Sequence, residues 1–429
     1  MKKVNRFTAL VLSAVMTMSL GGCSFPGKDS GEVNTTEEMK PAEISTDEST
    51  GSLTVTEADS EEVTEASTKE EPQKPPFSDS IKIETGDDSA SAAFNALNTT
   101  VNINVNGSDA EETVRQIADL IEEMDCTFSS VRSDSELYKM NESGKWACSD
   151  SLLEAIQYGQ ELGKNTDGDF NIALLPLTKA WGFYNADYRV PEESEISDLL
   201  KLAKPEDAKV VELPAHEWPN IKDADDEDGT ALYFGVEYST EGMKLDLSYY
   251  QEGLAGLKIA EMINEKSSDE VSSAIVSIGG TIITVGAKPD GKPWKVAIQD
   301  PDKEDGAYIA VISMEGSSDA KCVSTEGTYK RFFEQDGRKY HYIIDPKTGY
   351  PADSDIVSST VIASDPALAD ALDTALFIMG REKAIDFWRS GIYDFEMALL
   401  GNDGTFYVTD GISDSFKSDL KTEVIHLTD

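Results

Sequence analysis

Histidine is nearly absent, with only His216, His341 and His426 in 429 residues, so a histidine-rich metal site is disfavoured. Cysteine is scarce as well. Cys23, Cys126, Cys148 and Cys322 form no CxxC pair, which argues against a structural zinc site. Outside the cytosol Cys126 and Cys148 are either a disulfide or two buried thiols, because spacing in sequence fixes no distance. Basic residues are few: 37 Lys and Arg face 81 Asp and Glu, for a net charge of -44 and a pI near 4.2. That balance argues against nucleic-acid binding through a general basic field. No internal repeat and no phosphate-loop signature is evident. At 39% hydrophobic residues there is ample material for a core.

The N-terminus has its own grammar. Lys2, Lys3 and Arg6 precede an apolar run at 7–20 that is too short for a comfortable membrane span. Leu20-Gly21-Gly22-Cys23 follows and resembles a bacterial lipobox. It implies cleavage before Cys23, lipidation of the Cys23 thiol, and a protein lipid-anchored to the cell membrane on its extracytoplasmic face. The alternative is an ordinary secretory signal with an incidental cysteine. From residue 24 to about 82, Thr, Ser, Glu and Pro dominate, and such a chain cannot bury enough surface to offset its ordering entropy. The expected organisation is a signal peptide at 1–22, a lipidated, disordered acidic tether at 23–91 and a folded domain at 92–429.

Within that domain the periods alternate between two and about 3.6 residues. Strands are expected at 99–105, 273–278, 282–285, 294–298, 308–312, 340–344 and 357–363, and a closing hairpin at 395–408. Helices are expected at 110–124, 151–163, 191–202 and 253–263. Without a regular βαβ alternation the fold class is α+β, with mixed and antiparallel sheets and packed helices.

One helix carries chemistry. Ser364-Asp365-Pro366 is a start signal and Gly380 a stop signal. Asp370 and Thr374 lie four residues apart on one face, and Asp373 borders it. These residues are either a solvated acidic face or oxygen ligands for a hard cation such as magnesium.

Several motifs occur in an order that carries a family resemblance. They are Ser133-Asp134-Ser135-Glu136-Leu137 with Asn141, Leu177 with Trp181-Gly182-Phe183, and Asp246-Leu247-Ser248 with Glu252-Gly253. Val276-Ser277-Ile278-Gly279-Gly280, Val323-Ser324-Thr325, Ile343-Ile344-Asp345-Pro346-Lys347-Thr348-Gly349 and Ala369-Asp370-Ala371-Leu372-Asp373-Thr374 follow. From about Leu97 to Phe416 the chain resembles the ApbE-type FAD:protein FMN transferases. The resemblance implies a T-fold-like core, FAD as substrate, Mg2+ as cofactor, and attachment of FMN to a Ser or Thr hydroxyl of an exported partner protein with release of AMP. The alternative is an FAD-binding or FAD-hydrolysing lipoprotein that flavinylates no protein. The resemblance further implies Asp370, Asp373 and Thr374 as metal ligands, with Tyr249 beside them where the family carries a small residue. It implies flavin contacts at Leu97, Val131, Asp169, Phe170, Asn171, Asp246, Glu252 and, through its backbone, Ile344. Leu97 and Val131 replace a methionine and an aromatic, and Tyr342 stands where the family has histidine. His341, one residue earlier, would point to the opposite face of a strand. No catalytic base is assigned.

Overall fold

A computed structural model of the chain describes residues 75–221, 231–303 and 307–428. The leader, Cys23 and most of the expected tether lie outside the described residues. The unit that is described begins at Pro76, ahead of the boundary expected at Ala92. A short 3-10 turn, Phe77–Ser80, opens it. Ser78 donates its N–H (2.7 Å) and its hydroxyl (2.8 Å) to the Asp119 carboxylate, and the Phe77 ring meets Phe94 edge-on at 5.3 Å. Strands β1 (Ile83–Gly86) and β2 (Ser89–Ala96) then pair with each other. The correction has a physical cause: Ala90 and Ala92 point inward on β2, and small apolar residues give a weak strand signal.

The chain continues through β3 (Thr99–Asn106), α1 (Ala110–Phe128), α2 (Glu136–Ser143), β4 (Lys145–Ala147), α3 (Asp150–Asn165), α4 (Leu175–Ala180) and α5 (Glu193–Leu200). Next come β5 (Ala208–Pro214), β6 (Leu232–Tyr238), α6 (Gln251–Asn264), β7 (Ser273–Ile278), β8 (Thr281–Gly286), β9 (Trp294–Gln299), β10 (Tyr308–Met314) and β11 (Ser317–Gly327). Last are β12 (Phe332–Gln335), β13 (Arg338–His341), β14 (Ile356–Ala363), α7 (Pro366–Ser390), β15 (Glu396–Gly401), β16 (Phe406–Thr409), β17 (Phe416–Ser418) and β18 (Thr422–Ile425). The expected strand over 340–344 stops at His341, and Ile344 makes only an isolated bridge to Pro351. The fold is α+β, as expected.

Among the described residues the main sheet has ten strands, in the order β1-β2-β3-β7-β8-β11-β14-β15-β16-β18. Its pairings are antiparallel except β16 with β18. Helix α1 packs on β2 and β3, α6 on β7, β8 and β11, and α7 on β11 and β14, while α6 also packs against α1 and α7. A three-stranded sheet, β17-β10-β9, covers part of the other face. Period-two alternation separates two cores. On β15 Met397 and Leu399 join the helix-side core, and Ala398 and Leu400 the core beneath the small sheet. On β11 Cys322 faces the helices and Val323 the small sheet. Asp365 caps α7 by accepting from the Ala367 (2.9 Å) and Leu368 (3.1 Å) amides. Gly380 breaks the helical geometry at φ 73° and ψ 171°, and helix resumes beyond it. Among the described residues Cys126, Cys148 and Cys322 form no disulfide with one another. No helix among the described residues is long and apolar enough to cross a membrane.

A chain begun at Ala92 lacks the Ser78–Asp119 clasp, β1 and the residues Ser89, Ala90 and Ser91 of β2. Its urea unfolding free energy should fall by about 2 kcal/mol or more relative to a chain begun at Pro76. Equal unfolding midpoints would show that the segment is not part of the cooperative fold.

Candidate functional site

A cavity of about 370 Å³ opens where the turns and strand ends of the main sheet meet α6 and α7. Leu97, Val131, Ser248, Tyr249, Glu252 and the Gly279-Gly280 turn lie in its wall, together with Ser324, Glu326, Lys330, Tyr342, Asp370 and Asp373. Sequence positions more than two hundred residues apart therefore converge on one space.

Asp370 and Asp373 are buried on α7. Asp370 accepts from the Gly253 amide (2.7 Å), the Thr281 hydroxyl (2.9 Å) and the Ser324 hydroxyl (3.2 Å). Ser324 also reaches Asp373 at 2.7 Å, and Thr374 donates to Asp373 at 3.2 Å. Gly253 is required by the close approach of α6 to α7, because a Cβ there would lie 2.3 Å from the Pro366 carbonyl oxygen. Burial pushes the Asp370 carboxyl up to about 6, against the pull of its hydrogen bonds. Burial, then Asp370 and Glu326, push Asp373 well above the carboxylate range. Burial and the Asp370 charge push Glu252 up to about 8. Among the described residues neither aspartate has a cationic side chain within ion-pair distance. Nor do three His, Cys, Asp or Glu residues converge as a ready metal cluster among them. The donors are two buried carboxylates that no cation contacts among the described residues, plus the neutral oxygens of Ser324, Thr281 and Thr374. An all-oxygen set of this kind fits a hard divalent cation, which would relieve the cost of burying the charges.

Tyr249, expected beside those ligands, stands in the cavity wall with its hydroxyl turned elsewhere. It lies 3.4 Å from both the Thr178 hydroxyl and the Tyr342 carbonyl oxygen. Its ring is parallel to that of Tyr342, with centroids 6.3 Å apart. Aromatic stacking therefore orients this side chain, and its phenol oxygen is not part of the carboxylate cluster.

Asp246 lies fully buried behind the wall. It accepts from the Ser130 hydroxyl (3.2 Å), the Ser248 amide (3.1 Å) and the Tyr184 hydroxyl. All three donors face the cavity, so Asp246 acts by positioning them. Burial and the Asp246 charge raise the Tyr184 phenol far above its usual range, which keeps it a donor. Val131 is exposed at the rim, on a loop that Arg132 holds through Glu122 (2.8 Å), Asp125 (2.9 Å) and Asp134 (2.9 Å).

The other expected flavin contacts do not line the cavity. Asp169 pairs with Lys347 at 2.8 Å. Asn171 accepts from the Ala173 amide (2.7 Å) and donates to the Ala203 carbonyl (3.1 Å). Phe170 packs edge-on against Tyr250 at 5.3 Å, and Ile344 is wholly buried. These side chains fasten turns onto the core. In the turn that follows Ile344, Asp345 accepts from the Lys347 amide (2.8 Å) and the Thr348 hydroxyl (3.0 Å), while the Trp181 indole donates to the Gly349 carbonyl at 2.9 Å.

Sequence reasoning missed Ser130, Tyr184, Glu326 and Lys330. Strand alternation through Val323-Ser324-Thr325 carried a signal for one of them, because residues 322, 324 and 326 share a face. Glu326 takes a hydrogen bond from the Tyr342 hydroxyl. His341 and Tyr342 do diverge: Tyr342 faces the cavity, whereas His341 is buried against Phe377, its Nε2 3.1 Å from the Ala352 carbonyl oxygen.

Residues 97–398 match the ApbE family. An FAD:protein FMN transferase of Escherichia coli K12 is 30% identical over 325 residues, which span 74% of this chain and 85% of that protein. One from Treponema pallidum is 29% identical over 288 residues, 65% of this chain and 74% of that protein. The solved ApbE protein of Thermotoga maritima superposes with a TM-score of 0.63 at 26% identity, covering 76% of this chain and 98% of its own. A mutant of the flavin transferase ApbE from Vibrio cholerae gives 0.59 at 25% identity, covering 78% and 98%.

Burial lowers the His341 imidazole from 6.5 to about 4. Below about pH 6.5 the unfolded chain takes up a proton that the folded chain refuses until near pH 4, so stability falls as pH drops through that window. The loss is at most about 1.4 kcal/mol per pH unit. His341→Gln cannot titrate, so the difference in urea midpoint between pH 7 and pH 5 should be smaller than in the native chain. An identical difference would place the imidazole in solvent.

Proposed function

The chain belongs to the ApbE family, and from that premise we propose that this transferase moves FMN from FAD to a Ser or Thr hydroxyl of an exported partner protein and releases AMP, with Mg2+ as its cofactor. The observation that carries the reading is the buried Asp370–Ser324–Asp373 cluster in the wall of a cavity that the family resemblance assigns to FAD.

Asp370, Asp373 and Thr374 would hold the cation. When bound, it supplies neutralising charge for the pyrophosphate, the main requirement of phosphoryl transfer. The chain's own groups do the rest. Asp246 fixes the Ser130 and Tyr184 hydroxyls and the Ser248 backbone at the wall. The Gly279-Gly280 turn presents backbone without side chains. In the transfer, the acceptor oxygen forms a bond to the FMN-side phosphorus. The bond from that phosphorus to the bridging oxygen breaks, AMP leaves with the electron pair, and the hydroxyl proton is released.

The lipobox-like Leu20-Gly21-Gly22-Cys23 supports a lipid-anchored enzyme on the outer face of the cell membrane, where exported acceptors are found. A second reading, FAD binding or hydrolysis without transfer to protein, draws support from the bulk that Tyr249 and Tyr342 place in the wall.

The chain, incubated with FAD, magnesium and an acceptor protein bearing an exposed Ser or Thr, should yield a covalent FMN adduct by mass and one AMP per adduct. Asp370→Asn should cut adduct formation by about a hundredfold or more. AMP without adduct would favour hydrolysis, and unchanged turnover in the variant would sink the metal assignment.

A further inference from the structure

The charges that line the cavity do not balance. Glu252, Glu326, Asp370 and Asp373 face it, as does Asp125, which is committed to Arg132 at 2.9 Å. Two cationic residues line the same space, Lys330 and Arg331. The Arg331 guanidinium lies over the Tyr342 ring, 4.7 Å from its centroid, and donates to the Phe183 carbonyl at 3.3 Å. Its planar face is therefore spent on packing.

Lys330 is placed differently. It sits just past the end of β11, and its Nζ donates to the Thr325 carbonyl at 2.6 Å. An ammonium has three donors, so two remain. Among the described residues no carboxylate lies within ion-pair distance of it. Burial opposes its charge, but Glu326 and then Glu252 outweigh burial and keep the ammonium protonated. The residue is exposed and reaches solvent where it lines the cavity.

Its place depends on a missing side chain. A Cβ on Gly280 would stand 2.3 Å from Lys330 Nζ and 2.7 Å from the Thr325 carbonyl oxygen. The ammonium thus rests on the bare backbone of the turn between β7 and β8, whose Gly280 amide donates to Glu252 at 3.2 Å. An ammonium with two open donors, in a cavity whose carboxylates outnumber its cations, is a site for an anion. FAD brings a doubly charged pyrophosphate and FMN a phosphate, whereas riboflavin brings no charge.

We propose that Lys330 is the positioning residue that grips the pyrophosphate of the flavin nucleotide, so that the cavity selects phosphorylated flavins over riboflavin. The inference rests on the flavin-transfer reading of the same cavity and assigns the anion-binding part of it to a single side chain. The acidic wall makes the selection sharper, since a phosphate that misses Lys330 and the packed Arg331 meets like charge or uncharged wall.

The test is direct binding of FAD, FMN and riboflavin to the full chain, in chelator, by quenching of flavin fluorescence. Lys330→Met should weaken FAD and FMN by about tenfold or more, the weight of a charge-assisted hydrogen bond, and leave riboflavin unchanged. Lys330→Arg should restore most of the loss. Should the methionine variant fail to fold, Lys330→Gln is titrated in its place. Equal weakening of all three flavins, or weakening of none, would overturn the assignment and reduce Lys330 to a structural charge. The transfer assay separates this result from the broader reading. If the native chain binds FAD but forms no adduct, the transferase reading falls and Lys330 is still judged by the three affinities. If it binds no flavin, both fall.

Discussion

Asp370 and Asp373 are held inside the protein without a cation in ion-pair contact among the described residues, and the arrangement around them follows from that cost. Three positions apart on α7, they emerge near one another from a buried side of the helix. Dipoles answer them in place of cations: the Gly253 amide at the start of α6, the Thr281 hydroxyl at the start of β8, and the Ser324 hydroxyl on β11. Each donor is where it is for a local reason. Gly253 permits two helices to touch, Ser324 shares a strand face with Cys322, and Thr281 follows the two-glycine turn. Three elements remote in sequence are thereby tied to one turn of helix, and the cavity forms where they meet.

The sheet gives this cluster a rigid backing. β11 runs between two cores, with Cys322 turned to the helices and Val323 to the small sheet. Ser324 is fixed from both sides by that alternation, so its hydroxyl reaches two aspartates without strain from a mobile loop. At the opposite wall Asp246 does similar service for Ser130, Tyr184 and Ser248. One end of the cavity is organised by buried carboxylates that seek charge, and the other by a buried carboxylate whose demand is met by three donors.

Much of the architecture was legible because it is local. The Asp365-Pro366 start of α7 and the β7 strand from Ser273 to Ile278 follow from capping and period-two rules. The convergence of Asp370, Glu252, Leu97 and Val131 on one cavity was legible only through family resemblance, since no local rule brings β2, α1, α6 and α7 together. The same resemblance put Asp169, Phe170, Asn171 and Ile344 beside the flavin, where the structure uses them to pin turns to the core. Tyr249 was placed by position, but stacking on Tyr342 decides where its oxygen points. Lys330 gave no signal at all: a lysine in a polar turn looks like any solvated charge until the fold lays it across Gly280.

The entry of the chain into the fold has a mechanical consequence. Ser78 grips Asp119 through both its amide and its hydroxyl, and Asp119 belongs to α1, in the middle of a nineteen-residue helix. Tension applied to the chain ahead of Pro76 is therefore delivered to that helix before it reaches β1, the edge of the main sheet. A hairpin pulled from its free end unzips one hydrogen bond at a time, whereas a helix packed along the sheet resists as a block. The short turn at Phe77–Ser80 thus fastens the entering chain to α1, apart from the sheet whose β2–β3 and β7–β8 turns wall the cavity.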